Sequence, residues 1–332
     1  MALDVKVNIS VERLLTGAGD WVPLLFAGGQ DVEVPYTLCQ GLEDVEKLFP
    51  KTGKVYAAAA RIFSQGNAPD YVAVYGATGN AVAGLPAVWD EGWRQLVVAQ
   101  DDGTPSTPLE VAAHVEENSR YGAGKVYFPV VTDLADVDFT PYERTFALYH
   151  PDEVDCPEAA VVGATAGKAV GTITYKNQMI AGVEPAALAE QTVKDAADKG
   201  CYCILRKAGS VVTSEGKVGN GEYLDILDGR DYVVQEIEYN TQQLLNSADK
   251  VPYDNTGIAM LEAACVEVMV DAYGRGIIDS DDDGSPMYSV DYGPRSDTSL
   301  ADRKARRYTK GYFSFTQSEA VHEAVVNGTI VI

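Results

Sequence analysis

Alternation of apolar and polar residues is the first pattern along the chain, and it predicts β-strands near both ends. In residues 5–11 every second residue is apolar, and glycines at 17 and 19 then interrupt this period of two. Residues 1–20 therefore predict an arm whose strand pairs with its own core or with another chain. A C-terminal β arm is predicted at 311–332. The apolar positions expected to pair between subunits are Val5, Val7, Ile9, Val11, Val325, Ile330 and Ile332.

Between the arms, residues 21–170 alternate between strand and helix patterns. The helix predicted at 54–65 is alanine-rich, and one of its faces carries Tyr56, Ala59, Ala60 and Phe63. Such alternation is typical of a mainly parallel sheet with helices on its faces, so the predicted class is α/β. Strands are predicted at 23–27, 70–75, 95–100, 125–132 and 144–150, and the other helices at 42–49, 108–118 and 156–169.

The pattern changes after Gly171 and predicts a C-terminal α+β domain at 171–310. Two long helices, at 230–245 and 255–273, have apolar residues at helical spacing. An acidic loop at 280–285 follows them. The remaining elements are a helix at 184–199 and strands at 201–206, 211–218, 287–292, 311–315 and 323–332.

Composition and charge narrow the function classes. The chain has 332 residues, of which 46% are apolar and 23% charged, an ordinary globular composition. Its 26 basic and 49 acidic residues give a net charge of −23, which argues against general binding to nucleic acid or to an anionic membrane. No apolar run approaches the roughly 18 residues of a membrane-spanning helix, so no membrane insertion is expected.

Cysteine usage indicates a reducing compartment. The five cysteines are odd in number and irregularly spaced, which predicts reduced, mostly buried thiols. The first ten residues contain no apolar signal-peptide core, so we expect the protein to be made in a cytoplasm.

Two segments resemble ligand-binding loops and fall short of them. GATAGK at 163–168 has one residue too few between its glycines for a phosphate loop, and Ala169 stands where a Mg²⁺-binding hydroxyl is needed. A calcium loop would need a bidentate Glu where this chain has Val290. We predict a close-packed helix and a solvated acidic turn, and leave loose Ca²⁺ binding at 279–285 open. The acidic turn copies the first half of a calcium loop with Asp279, Asp281, Asp283 and Gly284.

The residues of catalysis are present without a recognisable arrangement. The three histidines are His114, His150 and His322, and no GxSxG nucleophile motif occurs. Cys201 and Cys203 lie on one face of a predicted strand, which indicates packing more than redox chemistry. We therefore predict no catalytic residues, no cofactor and no bound metal, and hence a protein that is not an enzyme.

One run of positive charge stands out against the acidic background. The simplest interpretation of this run is a solvated helix face, and the alternatives are a surface that binds an acidic protein partner or nucleic acid. Only Tyr308 is available to stack on bases, so direct nucleic-acid binding is the weaker alternative. The basic patch consists of Arg303, Lys304, Arg306, Arg307 and Lys310.

Four segments stand out in order along the chain, namely VNISVERLLTGAGDWVPLLF at 7–26, GEYLDILDGRDYVVQEIEYNTQQLL at 221–245, KVPYDNTGIAMLE at 250–262 and YFSFTQSEAVHEAVVNGTIVI at 312–332. Together they resemble the contractile tail sheath family of phages and phage-tail-like particles. Residues 7–26 resemble the family's N-terminal arm and first core strand. The segment 221–245 has its "D-x-x-x-G-x-D" before a long helix, and 250–262 its "K-x-P-Y-x-x-x-G" linker. The end, 312–332, is similar to its terminal strand with "A-x-H-x-x-x-x-x-G-T".

The resemblance implies a structural subunit that polymerises as stacked hexameric rings around an inner tail tube and contracts to drive the tube through a cell envelope. It implies a central domain of subtilisin-like topology, and arms that add strands to neighbouring subunits. The implied partners are other copies of the chain, the inner tube protein, and baseplate and tail terminator proteins. The implied location is a virion tail assembled in a bacterial cytoplasm. Because the basic patch stands alone in an acidic chain, it suits an acidic tube wall, and we predict that it faces the tube. The alternatives are another virion structural protein, such as a tube subunit, or a hydrolase-like fold with a degenerate active site.

Overall fold

The computed structural model describes residues 21–100, 105–119, 124–152 and 156–325. Of the predicted pairing positions in the arms, Val5, Val7, Ile9, Val11, Ile330 and Ile332 lie outside these ranges. No helix within the described ranges is both long and apolar enough to cross a membrane.

A five-stranded sheet forms the first layer of the fold. Its order is β2-β3-β1-β4-β5, and only β2 runs antiparallel to its neighbour. Strand β2 was not predicted from the sequence pattern, which Pro35 interrupts. Proline lacks a backbone N–H to donate, but it is tolerated on an edge strand, where one side of the strand needs no hydrogen bond to a neighbour. The strands are β1 Val22–Ala27, β2 Val34–Cys39, β3 Val72–Gly76, β4 Trp93–Val98 and β5 Val126–Tyr127.

A four-stranded sheet continues from the first and has the order β6-β7-β8-β9, with only β9 antiparallel. The single strand predicted at 125–132 is wrong, because β5 pairs with β4 in the first sheet and β6 pairs with β7 in the second. The pairing of β7 with β8 joins two strands that lie on opposite sides of residue 170 in the sequence, where the domain boundary was predicted. The strands are β6 Val130–Val131, β7 Ala147–Tyr149, β8 Cys201–Lys207 and β9 Ser210–Thr213.

Helices cover both faces of the first sheet. Alternate residues of one strand enter different cores: Leu25 lies in the first hydrophobic cluster and Leu24 in the second. The first cluster includes residues of α2 and α5, and the second includes residues of α4 and α6. The helices are α1 Leu42–Glu46, α2 Lys54–Phe63, α3 Ala81–Gly84, α4 Pro108–Asn118, α5 Pro157–Thr165 and α6 Glu190–Asp198.

Two helices illustrate what the sequence pattern specifies. The predicted bounds of α4 are confirmed, because Thr107 and Glu110 form a capping box that fixes its start. The helix predicted at 54–65 is observed as α2, which ends at Phe63. Of the four residues predicted on one of its faces, Ala59 is buried, whereas Tyr56, Ala60 and Phe63 are partly buried. An aliphatic stripe at the same helical spacing is buried instead, namely Val55, Ala58, Ala59 and Ile62.

The last part of the chain has a third, smaller core. Helices α7 Leu224–Ser247 and α8 Asn255–Gly274 pack against an antiparallel pair of strands, β10 Tyr288–Tyr292 and β11 Gly311–Phe315, and a short helix, α9 Leu300–Lys304, lies between the strands in sequence. The predicted C-terminal arm begins at 311, but its first five residues are already paired within the chain as β11.

Candidate assembly surfaces

The basic patch lies between α9 and the start of β11, and its five residues are not equivalent. Lys304, Arg306 and Lys310 are exposed. Arg303 is turned inward: its Nη1 donates to the carbonyl oxygen of Thr298 at 3.0 Å. Arg307 is exposed, yet its Nη2 donates to Asp302 Oδ1 at 3.0 Å. Three cations of the patch are thus directed at solvent, and the other two help to hold its shape.

Tyrosines attach the patch to the third core. The ring of Tyr308 stacks on Tyr292 of β10 with centroids 5.8 Å apart, and its hydroxyl donates to the carbonyl of Gly293 at 2.6 Å. Tyr253, just before α8, donates from its hydroxyl to the carbonyl of Arg307 at 3.0 Å. One bond thus reaches the backbone of a patch residue and the other anchors Tyr308, so these tyrosines help to position the patch beside the Arg303 and Arg307 contacts.

The β10–β11 pair presents the features of a strand acceptor. Its inward residues, among them Val290, Phe313 and Phe315, pack on the helices, whereas Tyr312 on the outer face is 64% exposed. Within the described residues this sheet has two strands, so each strand has one edge that no strand of the same chain covers. An uncovered strand edge can pair with a strand of another chain.

A buried cluster of charges joins α7 to the first sheet. Arg94 of β4 donates to Asp228 Oδ1 at 2.9 Å and to Asp231 Oδ2 at 2.7 Å, and Arg144 also binds Asp231. All four side chains are at most 9% exposed. Burial raises the pKa of Asp231, but the two arginines outweigh it, so the net pKa lies below its usual value. The carboxylate is therefore held in its charged form as part of the packing.

Sequence reasoning did not single out this cluster. Two features of the sequence point to the cluster: Arg94 is the one charged residue in an apolar strand, and Asp228 and Asp231 lie three residues apart on one helix. Both signals are visible only once β4 and α7 are known to be neighbours.

The three histidines lie in separate packing environments. His150 is buried, and its two ring nitrogens lie 3.0 Å and 3.2 Å from the carbonyl oxygens of Glu184 and Asp152. His114 packs edge-on against Trp89, and burial lowers its pKa. His322 Nε2 lies 2.8 Å from Thr174 Oγ1. The fold therefore does not bring the three histidines together into one site.

The two loop-like motifs also have structural explanations. A Cβ atom on Gly163 would lie 2.5 Å from the carbonyl oxygen of Ile62, so this glycine permits close contact of α5 with α2. In the acidic turn, Asp281 Oδ1 accepts from the backbone N–H groups of Asp283 and Ser285 at 3.0 Å and 2.8 Å. The described residues contain no group of three or more His, Cys, Asp or Glu side chains placed to hold a metal ion. None of the five cysteines forms a disulfide and all five are buried, as predicted.

Comparison with known proteins gives structural neighbours only. No protein-family model matches the chain, and no curated protein matches it. A chain of the six-fold-symmetrised baseplate of the anti-feeding prophage is 14% identical, with a TM-score of 0.71 over 100% of this chain and 99% of that one. The contracted helical sheath of the anti-feeding prophage and the contracted PVC sheath complex of an extracellular contractile injection system are each 13% identical, with TM-scores of 0.71 over 99% of this chain and 98% of theirs. The chain therefore has the mixed α/β fold found in contractile-particle sheaths over nearly its full length.

Proposed function

We propose that this chain is a structural subunit of a contractile sheath, and not an enzyme. The observation that carries the proposal is the shared fold: it extends over 99% of the chain and over 98% of sheath chains from two contractile particles. The likeness therefore extends over nearly the whole length of both chains in each comparison. The subunit would polymerise as stacked hexameric rings around an inner tube, in the tail of a phage or phage-tail-like particle assembled in a bacterial cytoplasm.

Strand exchange is the proposed means of joining subunits. Residues 1 to about 16 and 323–332 would supply strands to neighbouring subunits, and the edges of the β10–β11 pair that no described strand covers are the proposed acceptors. Main-chain hydrogen bonds would then keep the lattice connected while the subunits move during contraction. Val325 at the start of the C-terminal segment is 87% exposed, which leaves it available to a neighbour.

The basic patch is proposed to face the tube protein in the extended state. An exposed ion pair contributes roughly 0–1 kcal/mol, so no single contact holds the tube. Repeated over every subunit, such contacts stabilise an extended state and still break one ring at a time. Within the patch, the proposed contact is made mainly by Lys304, Arg306 and Lys310, because their side chains are exposed. Baseplate and terminator proteins would bind the two ends of the polymer.

Electron microscopy of the purified protein tests the assignment. We expect long, striated, hollow cylinders, and a variant lacking residues 1–15 that stays folded but forms none. A folded full-length protein that remains monomeric at every concentration and salt condition tried would contradict the proposal. Normal cylinders from the truncated variant would contradict the proposed role of the N-terminal arm in joining subunits.

The patch needs a matched test. Changing Lys304, Arg306 and Lys310 to Glu should give sheath that assembles without the tube or contracts early. The control has the same change in charge on exposed lysines elsewhere, with Lys47, Lys194 and Lys250 changed to Glu. Equal numbers of extended, tube-filled particles from both triple variants would show that the patch does not face the tube.

A further inference from the structure

The chain is held by specific side chains at both points where the proposed arms leave the described structure. At the N-terminal side, Trp21 is the first described residue and is half-buried. Its ring lies 4.0 Å from the guanidinium of Arg94, and its Nε1 donates to Gln235 Oε1 on α7 at 2.9 Å. The N-terminal arm therefore starts from a contact with α7 and the buried charge cluster.

At the C-terminal side, residues 316–325, here called the strap, run from β11 back across the beginning of α7. Gln317 Nε2 donates to the carbonyl oxygen of Ile226 at 2.8 Å. His322 ends the anchored part: its Nε2 lies 2.8 Å from Thr174 Oγ1, and its ring meets Tyr223 edge-on at 4.9 Å. The first turns of α7 thus contact the strap, and the same helix contacts Trp21 further along.

Buried side chains connect these two anchors. Arg94, beneath the Trp21 ring, donates from Nε to Asp228 Oδ1 at 2.9 Å. The other oxygen of Asp228 accepts from the Tyr175 hydroxyl at 2.7 Å. Tyr175 is buried, and the residue before it in the chain is Thr174, the partner of His322. A continuous series of contacts therefore runs from the N-terminal anchor to the C-terminal one.

We propose that the two arm anchors are energetically coupled within one subunit through the contact series Trp21–Arg94–Asp228–Tyr175–Thr174–His322. The proposal rests on the proposed function in one respect, that the terminal segments are strands given to neighbours. Under that function, displacement of one arm in the lattice alters the seating of the other arm in the same subunit. Buried hydrogen-bonded charges suit such coupling because they have few alternative arrangements and little water to replace a lost partner.

A double-mutant cycle on the full-length subunit, kept dilute and unassembled, tests the coupling. The reporter is amide hydrogen exchange of Ser318, whose N–H donates to the carbonyl of Ile277 at 2.9 Å in the strap. Trp21→Leu should accelerate this exchange about threefold or more, although Trp21 does not bind the strap. Combining it with His322→Ala should give less than the product of the two single effects.

Matched tyrosine variants locate the path. Tyr175→Phe removes the hydroxyl that binds Asp228. Tyr202→Phe removes a buried hydroxyl that has no hydrogen-bond partner among the described residues, and both rings pack on Phe146. In the Tyr175→Phe background Trp21→Leu should no longer affect the strap, and in the Tyr202→Phe background its effect should persist. Should Tyr175→Phe not fold, Thr174→Val breaks the same series at a half-buried position.

Two results would overturn the proposal: multiplicative effects of Trp21→Leu and His322→Ala, or the same response in both tyrosine backgrounds. Neither measurement requires cylinders, so a failure of the sheath assignment in electron microscopy leaves the coupling test intact. Conversely, cylinders that form normally while the cycle shows no coupling would reject the coupling and retain the sheath.

Discussion

Glu158 lies in the core, and its replacement is expected to stabilise the protein. It is 5% exposed, in helix α5, every residue of which is buried. Among the described residues, its Oε2 atom has no hydrogen-bond partner. Burial raises its pKa from 4.5 to about 7, and the backbone hydrogen bond and the charge of Lys54 offset this only in part.

The sign and size of the effect follow from the two pKa values. Between pH 4.5 and about 7 the folded protein binds more protons at this site than the unfolded chain does. The contribution of Glu158 to the free energy of unfolding is therefore most favourable below pH 4.5. It decreases as the pH rises and is lost completely above about pH 7. Since one pKa unit is worth about 1.4 kcal/mol, the loss amounts to roughly 3 kcal/mol. Glu158→Gln cannot ionise and should escape it.

Urea unfolding of the wild type and Glu158→Gln at pH 5 and pH 8, followed by circular dichroism, measures this difference. The variant should be more stable by about 3 kcal/mol at pH 8 and by much less at pH 5. Other carboxyl groups titrate in both proteins, so only the difference between them is compared. Glu190→Gln, on an exposed helix end, is the control and should show no such trend. An equal difference between wild type and Glu158→Gln at both pH values would refute the reasoning.

Three further changes test other parts of the fold by the same unfolding measurement. Asp231→Ala leaves two buried arginines without their shared carboxylate and should cost roughly 3–5 kcal/mol; a loss below about 1 kcal/mol would mean that water replaces it. Gly163→Ala places a methyl group against the backbone of Ile62 and should cost about 1–3 kcal/mol, whereas a neutral result would show that α5 can move. Thr107→Ala removes the α4 capping box and should cost about 1 kcal/mol, unless water caps the helix equally well.

The sequence predicted those parts of the fold that local physics determines. The bounds of α4 and β11 are as predicted, because a capping box fixes the first and a sharp change of pattern marks the second. The sequence of α2 has two overlapping apolar stripes, and the pattern alone could not select the aliphatic one that packing against α5 buries. The division of 125–132 between two sheets could not be read locally, because each half is paired by a different distant strand.

The candidate surfaces show the same limit. The basic patch was visible in the sequence because its five charges are adjacent, but its inward and outward members were not, because they depend on where Thr298 and Asp302 present their oxygen atoms. The link between Trp21 and His322 was invisible, because its six members come from five separate places in a chain of 332 residues. The domain boundary at 170 and the subtilisin-like topology remain predictions.

Charge explains why strand exchange and the basic patch would perform different tasks in a lattice. Subunits with a net charge of −23 repel one another, so association cannot rest on their general electrostatic attraction. Main-chain hydrogen bonds between strands do not depend on the side-chain charges. They can therefore hold copies of the same charge together. The exposed cations of the patch add an attraction that is local, since screening limits it to about 8 Å at physiological salt. Strand pairing would therefore keep subunits attached through contraction, while the patch would release any acidic partner as soon as the subunit moves outward by little more than that distance.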